Sequence, residues 1–293
     1  MKFSTKWFFL LFLFILAVLY AIIGKNLKNE SCLTSLSNES TENRINYPFI
    51  FIVGAPGSGT TLMKTILDVS PKMNCGHETQ LIPFMIKQLD DFKGLHKKDQ
   101  LFTEYMKTID KALSLFIIEV IEKNNHTNEI FCAKDPKNII YISYLHKLFP
   151  NSKFVFMIRD GRGSALSSVL RENKPLTEEN FYYYFDIWNY FNKIGYNQCQ
   201  SVGFNNCMTV RYENLITDSE NTIKRVLNFL NIEFTPDFLR HYEFKGDISY
   251  SNSRVADKIK PDRLKSWEGI MNYNKTFIQK KFKMMKEFGY NLN

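Results

Sequence analysis

A strand, a glycine-rich turn and a helix in direct succession constrain this chain more than any other stretch. The run from Pro48 to Lys64 reads PFIFIVGAPGSGTTLMK. Its apolar start predicts a buried strand, three glycines interrupt that strand, and helix-compatible spacing resumes at Thr60. Glycines let the backbone approach a ligand, and the N-terminus of the following helix directs free N–H groups and a positive dipole towards it. The pattern predicts an anion-binding loop; the alternative is an ordinary connection between a strand and a helix.

The loop differs from the nucleoside-triphosphate P-loop at one position. Gly54 and Gly59 have the spacing of the pattern G-x-x-x-x-G-K-[ST], but Thr60 stands where that pattern has lysine. In P-loop proteins this lysine reaches the β- and γ-phosphates. A loop with the glycines and without the lysine indicates a nucleotide that lacks a triphosphate, which disfavours a P-loop kinase.

An apolar stretch near the start of the chain predicts a membrane segment. Residues 7–23 read WFFLLFLFILAVLYAII and carry no charge, so they are about long enough to span a bilayer. The stretch exceeds the usual apolar part of a signal peptide and shows no small-x-small cleavage site, which favours an uncleaved signal anchor over a cleaved peptide. We expect a cytoplasmic tail at 1–6, the anchor at 7–23, a polar stem at 24–46 and a lumenal domain at 47–293.

Sequons and cysteines are consistent with a lumenal domain. Four N-glycosylation sequons have the acceptor residues Asn29, Asn38, Asn125 and Asn274. A lumenal location permits disulfides, whereas in a cytosolic protein all five cysteines would be reduced.

Two disulfides are suggested by position along the chain. Cys199 and Cys207 lie close together, which suits a bridge across a short hairpin-like loop. Cys75 and Cys132 each precede a group of charged residues, and a bridge between them would hold two loops of a site together. Cys32 is left over in the stem and is either free or paired between chains.

Alternating strands and helices predict the fold class. Composition is ordinary for a globular protein, and the net charge of +8 favours anionic ligands or acidic partners, with a solvated basic surface as the alternative. Strands are predicted at 49–53, 129–134, 153–158 and 207–212, and helices at 62–69, 81–95, 101–124, 141–148, 164–171, 180–195 and 220–230. This order predicts an α/β fold with a mostly parallel sheet flanked by helices. Ligands of such sheets bind beyond the carboxyl ends of the strands, so we expect the loops there to converge.

Five blocks along the chain resemble the tyrosylprotein sulfotransferases, which are Golgi type II membrane enzymes. They read PFIFIVGAPGSGTTLMKTILDVSP, CGHETQLIP, FCAKDPKN with YLHKLFPNSKFVFMIRDGRGSALS, NQCQSVGFNNCMTVRYENL, and IKPDRLKSWEG with the terminal FGYN. The resemblance covers nearly all of the chain after the stem. It implies a P-loop-like sulfotransferase fold, a lumenal Golgi location, disulfides Cys75–Cys132 and Cys199–Cys207, and a tendency to form homodimers.

The donor that the resemblance implies is 3′-phosphoadenosine 5′-phosphosulfate (PAPS), with no metal and no nucleic-acid partner. PAPS has no γ-phosphate, which agrees with the missing loop lysine. The positions that match donor-binding residues of the family are Gly57, Ser58, Gly59, Thr60, Thr61, Arg159, Ser167, Arg171, Tyr212 and Lys265. An arginine at a strand end offers a bidentate fork to the 3′-phosphate, and a serine on the next helix adds a donor. For Arg171, and for the neighbouring Arg162, surface charge is an equal alternative.

The resemblance also implies two catalytic groups. Sulfuryl transfer, like phosphoryl transfer, should depend mainly on in-line positioning and charge stabilisation. A tyrosine acceptor, with a reference pKa of about 10, needs a base near neutral pH, and Glu78 matches the catalytic carboxylate of the family. Lys134 matches the residue that stabilises charge on the bridging oxygen. Taken alone, each of the two would be an ordinary surface charge.

Departures from the family pattern affect both charge and specificity. Gly57 replaces a basic residue of the loop, and Lys134 or Lys64 are the candidates to compensate. His77 replaces an acidic residue, and is either an alternative base or a loop histidine without a role. Arg254 replaces a serine that stabilises the transition state, and is a candidate third catalytic residue.

Two further departures concern the acceptor. Gln80 and Phe84 stand where the family has arginines that read acidic peptides. Preference for an acidic sequence is therefore the weakest expectation, although Lys72 and Lys87 are candidates to replace part of that charge.

The sequence predicts PAPS-dependent sulfation of tyrosine in secretory-pathway proteins. One alternative keeps the donor and changes the acceptor to a carbohydrate hydroxyl, because both substrate arginines are missing. Another is a degenerate, non-catalytic member that binds PAPS or a peptide, because Gly57 removes a charge. On that alternative, Gly57→Arg is expected to create activity.

Overall fold

The computed structural model describes residues 44–95, 100–124, 129–243, 264–269 and 275–290. The predicted anchor, the stem, Cys32, the four sequon asparagines and Arg254 lie outside these residues. Among the helices within these ranges, none is long and apolar enough to cross a membrane.

The described strands form one parallel five-stranded sheet. They are β1 (Phe49–Gly54), β2 (Met73–Asn74), β3 (Ile130–Lys134), β4 (Lys153–Ile158) and β5 (Cys207–Arg211). Their order in the sheet is β2-β3-β1-β4-β5, and every neighbouring pair is parallel. The predicted parallel sheet is confirmed. Sequence reasoning missed β2 because two residues are too few to show a period.

Helices connect the strands and cover both faces of the sheet. They are α1 (Thr60–Leu67), α2 (Leu81–Leu95), α3 (Gln100–Asn124), α4 (Ile142–Leu148), α5 (Gly161–Arg171), α6 (Glu178–Val202), α7 (Tyr212–Thr217), α8 (Ser219–Leu230), α9 (Lys275–Lys281) and α10 (Lys283–Glu287), with 3₁₀ helices at Pro136–Tyr141 and Pro236–Glu243. Helix α5 begins earlier than predicted because Asp160 caps it, accepting a hydrogen bond from the Arg162 N–H at 2.9 Å. Tyr212, predicted as the last residue of a strand, begins α7 instead.

Two hydrophobic cores lie on opposite faces of the sheet. Alternate residues of β1 divide between them: Phe49 and Phe51 belong to an aromatic core with Trp188 of α6, whereas Ile50 and Ile52 belong to an aliphatic one. Helices α1 and α8 cover the aliphatic face. Because both faces are covered, the central strands are apolar at nearly every position.

The strand register brings the functional loops to one edge of the sheet. Ile52 of β1 lies opposite Lys134, the last residue of β3, and Gly54 lies opposite Met157 near the end of β4. The loops that follow β1, β3 and β4 therefore leave the sheet side by side. The predicted convergence is confirmed.

Both predicted disulfides are present. Cys75 after β2 is joined to Cys132 of β3, with a sequence separation of 57, and Cys199 is joined to Cys207, with a separation of 8. The expectation of a hairpin between the second pair is wrong, because Cys199 lies in α6 and Cys207 begins β5. The bridge fastens the end of a helix to the start of an edge strand.

Loop length predicts unequal contributions of the two disulfides to stability. Constraint of the unfolded chain gives about 4 kcal/mol for a 57-residue separation and about 2.5 kcal/mol for a separation of 8. We expect the double variant Cys75→Ala, Cys132→Ala to lose more stability than Cys199→Ala, Cys207→Ala, as measured by urea unfolding. All four cysteines are buried, so the pairs are matched for side-chain truncation. An equal loss in both variants would contradict the loop-length argument.

Candidate active site

The turn between β1 and α1 depends on two glycines with positive φ. Gly57 has φ +82° and Gly59 has φ +98°. A Cβ added to Gly57 would lie 2.5 Å from the carbonyl oxygen of Ser164, and one added to Gly59 would lie 2.5 Å from Cδ2 of Tyr212. Glycine is the residue that combines this conformation with so close an approach. The loop therefore packs directly on α5 and on the Tyr212 ring.

Arg159 brings a positive charge to the loop. It follows β4, is buried, and its Nη1 donates to the carbonyl oxygen of Gly57 at 3.2 Å. Its guanidinium carbon lies 4.2 Å from the centroid of the Tyr212 ring. The charge of Lys64, by contrast, is paired with Asp68, the residue that follows α1. Of the residues considered to compensate for Gly57, Lys64 is thus already neutralised, and Arg159 is an additional source that sequence reasoning did not consider.

The loop and the start of α5 carry polar groups that, in the part of the chain that the structure describes, have no protein partner. The hydroxyl oxygens of Ser58 and Ser164 are buried and, within the described residues, have no hydrogen-bond partner. No side chain caps the N-terminus of α1, whose first N–H groups have no acceptor within the helix. Orphaned hydroxyls and open N–H groups beside a buried guanidinium fit a bound phosphate-like anion.

The other predicted donor-binding residues differ in environment. Thr60 is buried, whereas Thr61 and Ser167 are half-buried at the loop and on α5. Arg171 is exposed at the end of α5, 4.0 Å from Glu172. Lys265 is exposed and pairs with Glu268 at 3.5 Å. The structure thus joins residues 57–61, Arg159 and Tyr212, and gives Arg171 and Lys265 surface ion pairs.

Arg162 is not a surface charge. It is buried, and it binds Asp160 through two contacts, Nε to Oδ1 at 3.0 Å and Nη2 to Oδ2 at 2.6 Å. Its guanidinium carbon lies 3.8 Å from the centroid of the Trp267 ring. The alternative of surface charge is therefore wrong for Arg162, because the side chain of Trp267, which is far away in sequence, packs over it.

Glu78 and Lys134 form an ion pair at the same edge of the sheet. Lys134 Nζ donates to Glu78 Oε2 at 2.6 Å. Lys134 ends β3, and its side chain is 7% exposed; Glu78 lies in the loop before α2, and its side chain is 34% exposed. The Cys75–Cys132 disulfide joins the two segments within three residues of each partner. Two residues that the sequence placed far apart are thus held in direct contact.

Asp135 is a third charged residue of the site, and sequence reasoning missed it. It is 3% exposed; its Oδ1 accepts from the Lys137 N–H at 3.3 Å, while Oδ2 has no partner within the described residues. Burial first, and then the negative charge of Glu78, raise the pKa of the Asp135 carboxyl to about 6. Its position between Lys134 and a proline at a strand end was the available signal. His77 lines a small cavity beside these residues.

The comparison with protein families agrees with this geometry. The model of the sulfotransferase family matches residues 48–236, which is more than half of the chain. This chain belongs to the sulfotransferase family. The match begins at the strand before the glycine loop, and includes Glu78, Lys134 and Arg159.

Curated relatives narrow the comparison to one group of sulfotransferases. Protein-tyrosine sulfotransferase A of Caenorhabditis elegans is 35% identical over 251 residues, which cover 82% of this chain and 66% of the relative. Protein-tyrosine sulfotransferase 2 of Gallus gallus is 34% identical, with 76% and 63% covered. The human protein-tyrosine sulfotransferase 1 is 33% identical, with 80% and 66% covered. The chain spans slightly less than two thirds of the length of these relatives.

Solved structures confirm the sulfotransferase fold. The sulfotransferase domain of the Synechococcus PCC 7002 olefin synthase aligns with TM-score 0.60 at 19% identity, over 85% of this chain and 96% of that one. The sulfotransferase domain of the curacin biosynthetic pathway aligns with TM-score 0.58 at 20% identity, over 84% and 99%.

The backbone conformation at Gly57 predicts that any side chain at this position lowers the stability of the fold. We expect Gly57→Ala to cost about 1–3 kcal/mol, because φ is positive and the added Cβ meets the Ser164 carbonyl. Gly57→Arg carries the same strain, so it should fail to raise activity. Gly94→Ala in α2 is the control. Its added Cβ meets no atom within 4 Å, and alanine should stabilise the helix by up to about 1 kcal/mol relative to glycine. Urea unfolding measures the stability of both alanine variants. A Gly57→Arg variant that is as stable as the native chain and more active would contradict the predicted backbone strain.

Burial of the Asp135 carboxyl predicts that the stability of the fold depends on pH. An acid whose pKa rises from 3.8 in the unfolded chain to about 6 in the fold loses stability as pH rises through that window. The full difference is about 3 kcal/mol. We therefore expect Asp135→Asn to gain stability relative to the native chain between about pH 4 and pH 7. The measurement is urea unfolding at each pH, and the control is Glu129→Gln, which removes an exposed carboxylate. If the stability of Asp135→Asn ran parallel to that of the native chain over this pH range, the raised pKa of Asp135 would be contradicted.

Proposed function

We propose that this chain transfers a sulfuryl group from PAPS to the hydroxyl of tyrosine residues in proteins of the secretory pathway. The observation that carries the proposal is the 2.6 Å contact between Lys134 and Glu78 beside an anion-binding loop. The tyrosine acceptor is supported by the names of the curated relatives.

The donor would be held at the glycine loop. PAPS supplies an activated sulfuryl group, two phosphate positions and no γ-phosphate, which suits a loop without the lysine. The open N–H groups of α1, the Ser58 hydroxyl and the Arg159 guanidinium are the groups that fit its phosphates. The proposed set of donor ligands is completed by the loop glycines Gly57 and Gly59, by Thr60, Thr61 and Tyr212 at the loop, by Ser167 and Arg171 on α5, and by Lys265.

Glu78 would act on the acceptor as a general base. Its side chain is one-third exposed, so an acceptor hydroxyl from solvent can reach it. The carboxylate accepts the phenolic proton, which a tyrosine does not release by itself near neutral pH.

Lys134 would stabilise the developing negative charge. In the described structure its ammonium group donates to Glu78, and when Glu78 takes a proton that attraction weakens. The ammonium is then available to donate to the oxygen on which charge develops. Because Lys134 is nearly buried, its charge is weakly screened by water, and its electrostatic effect is correspondingly large.

The proposed setting is the Golgi lumen, with residues 7–23 as a single-pass type II anchor and glycans on the sequons. The two disulfides support this setting, since such bonds persist in oxidising compartments. Arg254 as a third catalytic group and a homodimeric state belong to the same proposal.

Substitution of either partner of the ion pair tests the proposal. We expect Glu78→Gln to lower kcat about 10²- to 10⁴-fold by removing the base. Lys134→Met should lower kcat about 10²- to 10³-fold by removing charge stabilisation. The readout is sulfate incorporation from PAPS into a tyrosine peptide, with urea unfolding to confirm the fold.

A matched ion pair provides the control. Lys72 and Glu129 are 3.1 Å apart at the other end of β3, and both are exposed. Glu129→Gln should leave kcat unchanged. Full activity of Glu78→Gln would remove Glu78 from its role, and sulfation of a glycan in place of any peptide would replace the tyrosine acceptor by a carbohydrate.

A further inference from the structure

A groove lies beside the Glu78–Lys134 pair, where α2 faces the 3₁₀ helix that follows β3. Its volume is about 380 Å³, and its apolar lining consists of Leu81, Pro83, Phe84, Ile140, Tyr141 and Phe191. Thr79, the residue after Glu78, lines both this groove and the small cavity beside Lys134. A peptide that presents a hydroxyl to Glu78 would therefore place its neighbouring residues over the groove.

The apolar lining is open to solvent at its edge. Phe84 is 57% exposed and Leu81 is 44% exposed, and they lie one helical turn apart at the start of α2. Exposed apolar side chains grouped beside a functional site are typical of a binding surface. Covering an aromatic side chain of this kind is worth roughly tenfold or more in affinity.

Two lysines line the same groove, and they differ in their partners. Lys87 Nζ is paired with Asp91 at 2.6 Å, so part of its charge is offset within α2. Lys137 Nζ donates to the neutral Gln80 side chain at 2.9 Å and, among the described residues, forms no ion pair. Within the described residues, the groove therefore offers in Lys137 a positive charge that no carboxylate pairs with, beside an apolar wall.

Two acidic residues of α2, Asp90 and Asp91, lie near the groove, and each is paired with a lysine of the same helix. Burial and then the charges of Asp90 and Asp91 raise the pKa of the Tyr141 hydroxyl to about 12. A peptide with many carboxylates would have to desolvate some of them against the apolar wall at Phe84. Charge complementarity is therefore limited to one acidic residue near Lys137.

We infer that the groove selects acceptor segments in which an apolar side chain, best an aromatic one, lies within a few residues of the tyrosine. A single carboxylate of the segment binds Lys137. The inference rests on the proposed function, since it specifies which tyrosines the site takes. Phe84 and Lys137 are the specificity-determining residues.

Three peptides with the same acceptor tyrosine test the inference. One has phenylalanine and leucine near the tyrosine and one glutamate, the second has acidic residues throughout, and the third has only glycine and serine. The full chain should give a kcat/KM for the apolar peptide about tenfold above that for either of the others.

Variants assign the preference to the groove. Phe84→Ala should remove most of the tenfold preference, and Phe84→Arg should shift the preference towards the acidic peptide. Lys137→Gln should lower kcat/KM for the apolar peptide but not for a version with glutamine in place of glutamate. The control is Phe204→Ala, at an 85% exposed aromatic residue before β5, at the opposite edge of the sheet, which should leave the ratio unchanged.

The failures of the two proposals give different results. Equal use of the three peptides, or preference for the acidic one by the native chain, would overturn the groove inference and leave tyrosine sulfation standing. Failure to sulfate any peptide, with PAPS bound in calorimetry, would overturn the proposed function itself. An unchanged ratio in Phe84→Ala would also reject the groove as the source of specificity.

Discussion

A lysine buried at the end of a central strand requires a compensating charge, and Glu78 supplies it to Lys134. Burial of an unpaired ammonium group is costly, so the loop that carries Glu78 must stay against the sheet. Two other contacts hold the start of that loop: the disulfide from Cys75 to Cys132, and the hydrogen bond from the Cys75 N–H to Asp68 at 2.8 Å. Covalent and electrostatic constraints thus act on the same few residues, and they hold the Glu78–Lys134 pair at the edge of the sheet to which the strand register brings the glycine loop.

Positive charge at the glycine loop comes from Arg159, at the end of a neighbouring strand, rather than from the loop itself. Gly57 has no side chain, and the adjacent space is occupied by α5, whose Ser164 carbonyl oxygen lies close to the Gly57 backbone. Arg159 reaches the loop from the end of β4 and is kept there by the Tyr212 ring. A guanidinium held between a backbone carbonyl and an aromatic ring is preorganised, which is what stabilisation of a phosphate-like anion requires.

Local sequence signals predicted the parallel sheet, its functional loops and several helices. The apolar run of β1, the glycines after it and the alternation of strands and helices identified the parallel sheet and its loops, and α2 was predicted with its observed bounds. Burial of charged side chains was not predicted. Asp135 and Arg162 are buried by residues from distant segments, such as Trp267 over Arg162, and no local pattern encodes such partners. The bridge at Cys199 was found but its geometry was wrong, because the length of α6 depends on packing that the sequence window does not show.

The contact between Gly57 and α5 limits which substitutions the glycine loop of this chain can accept. A side chain at this position needs both a different backbone conformation and a displaced Ser164 carbonyl. A single codon change supplies only the side chain. A basic residue here would therefore need coordinated substitutions in two segments of the chain, and the side chain introduced alone would strain the loop.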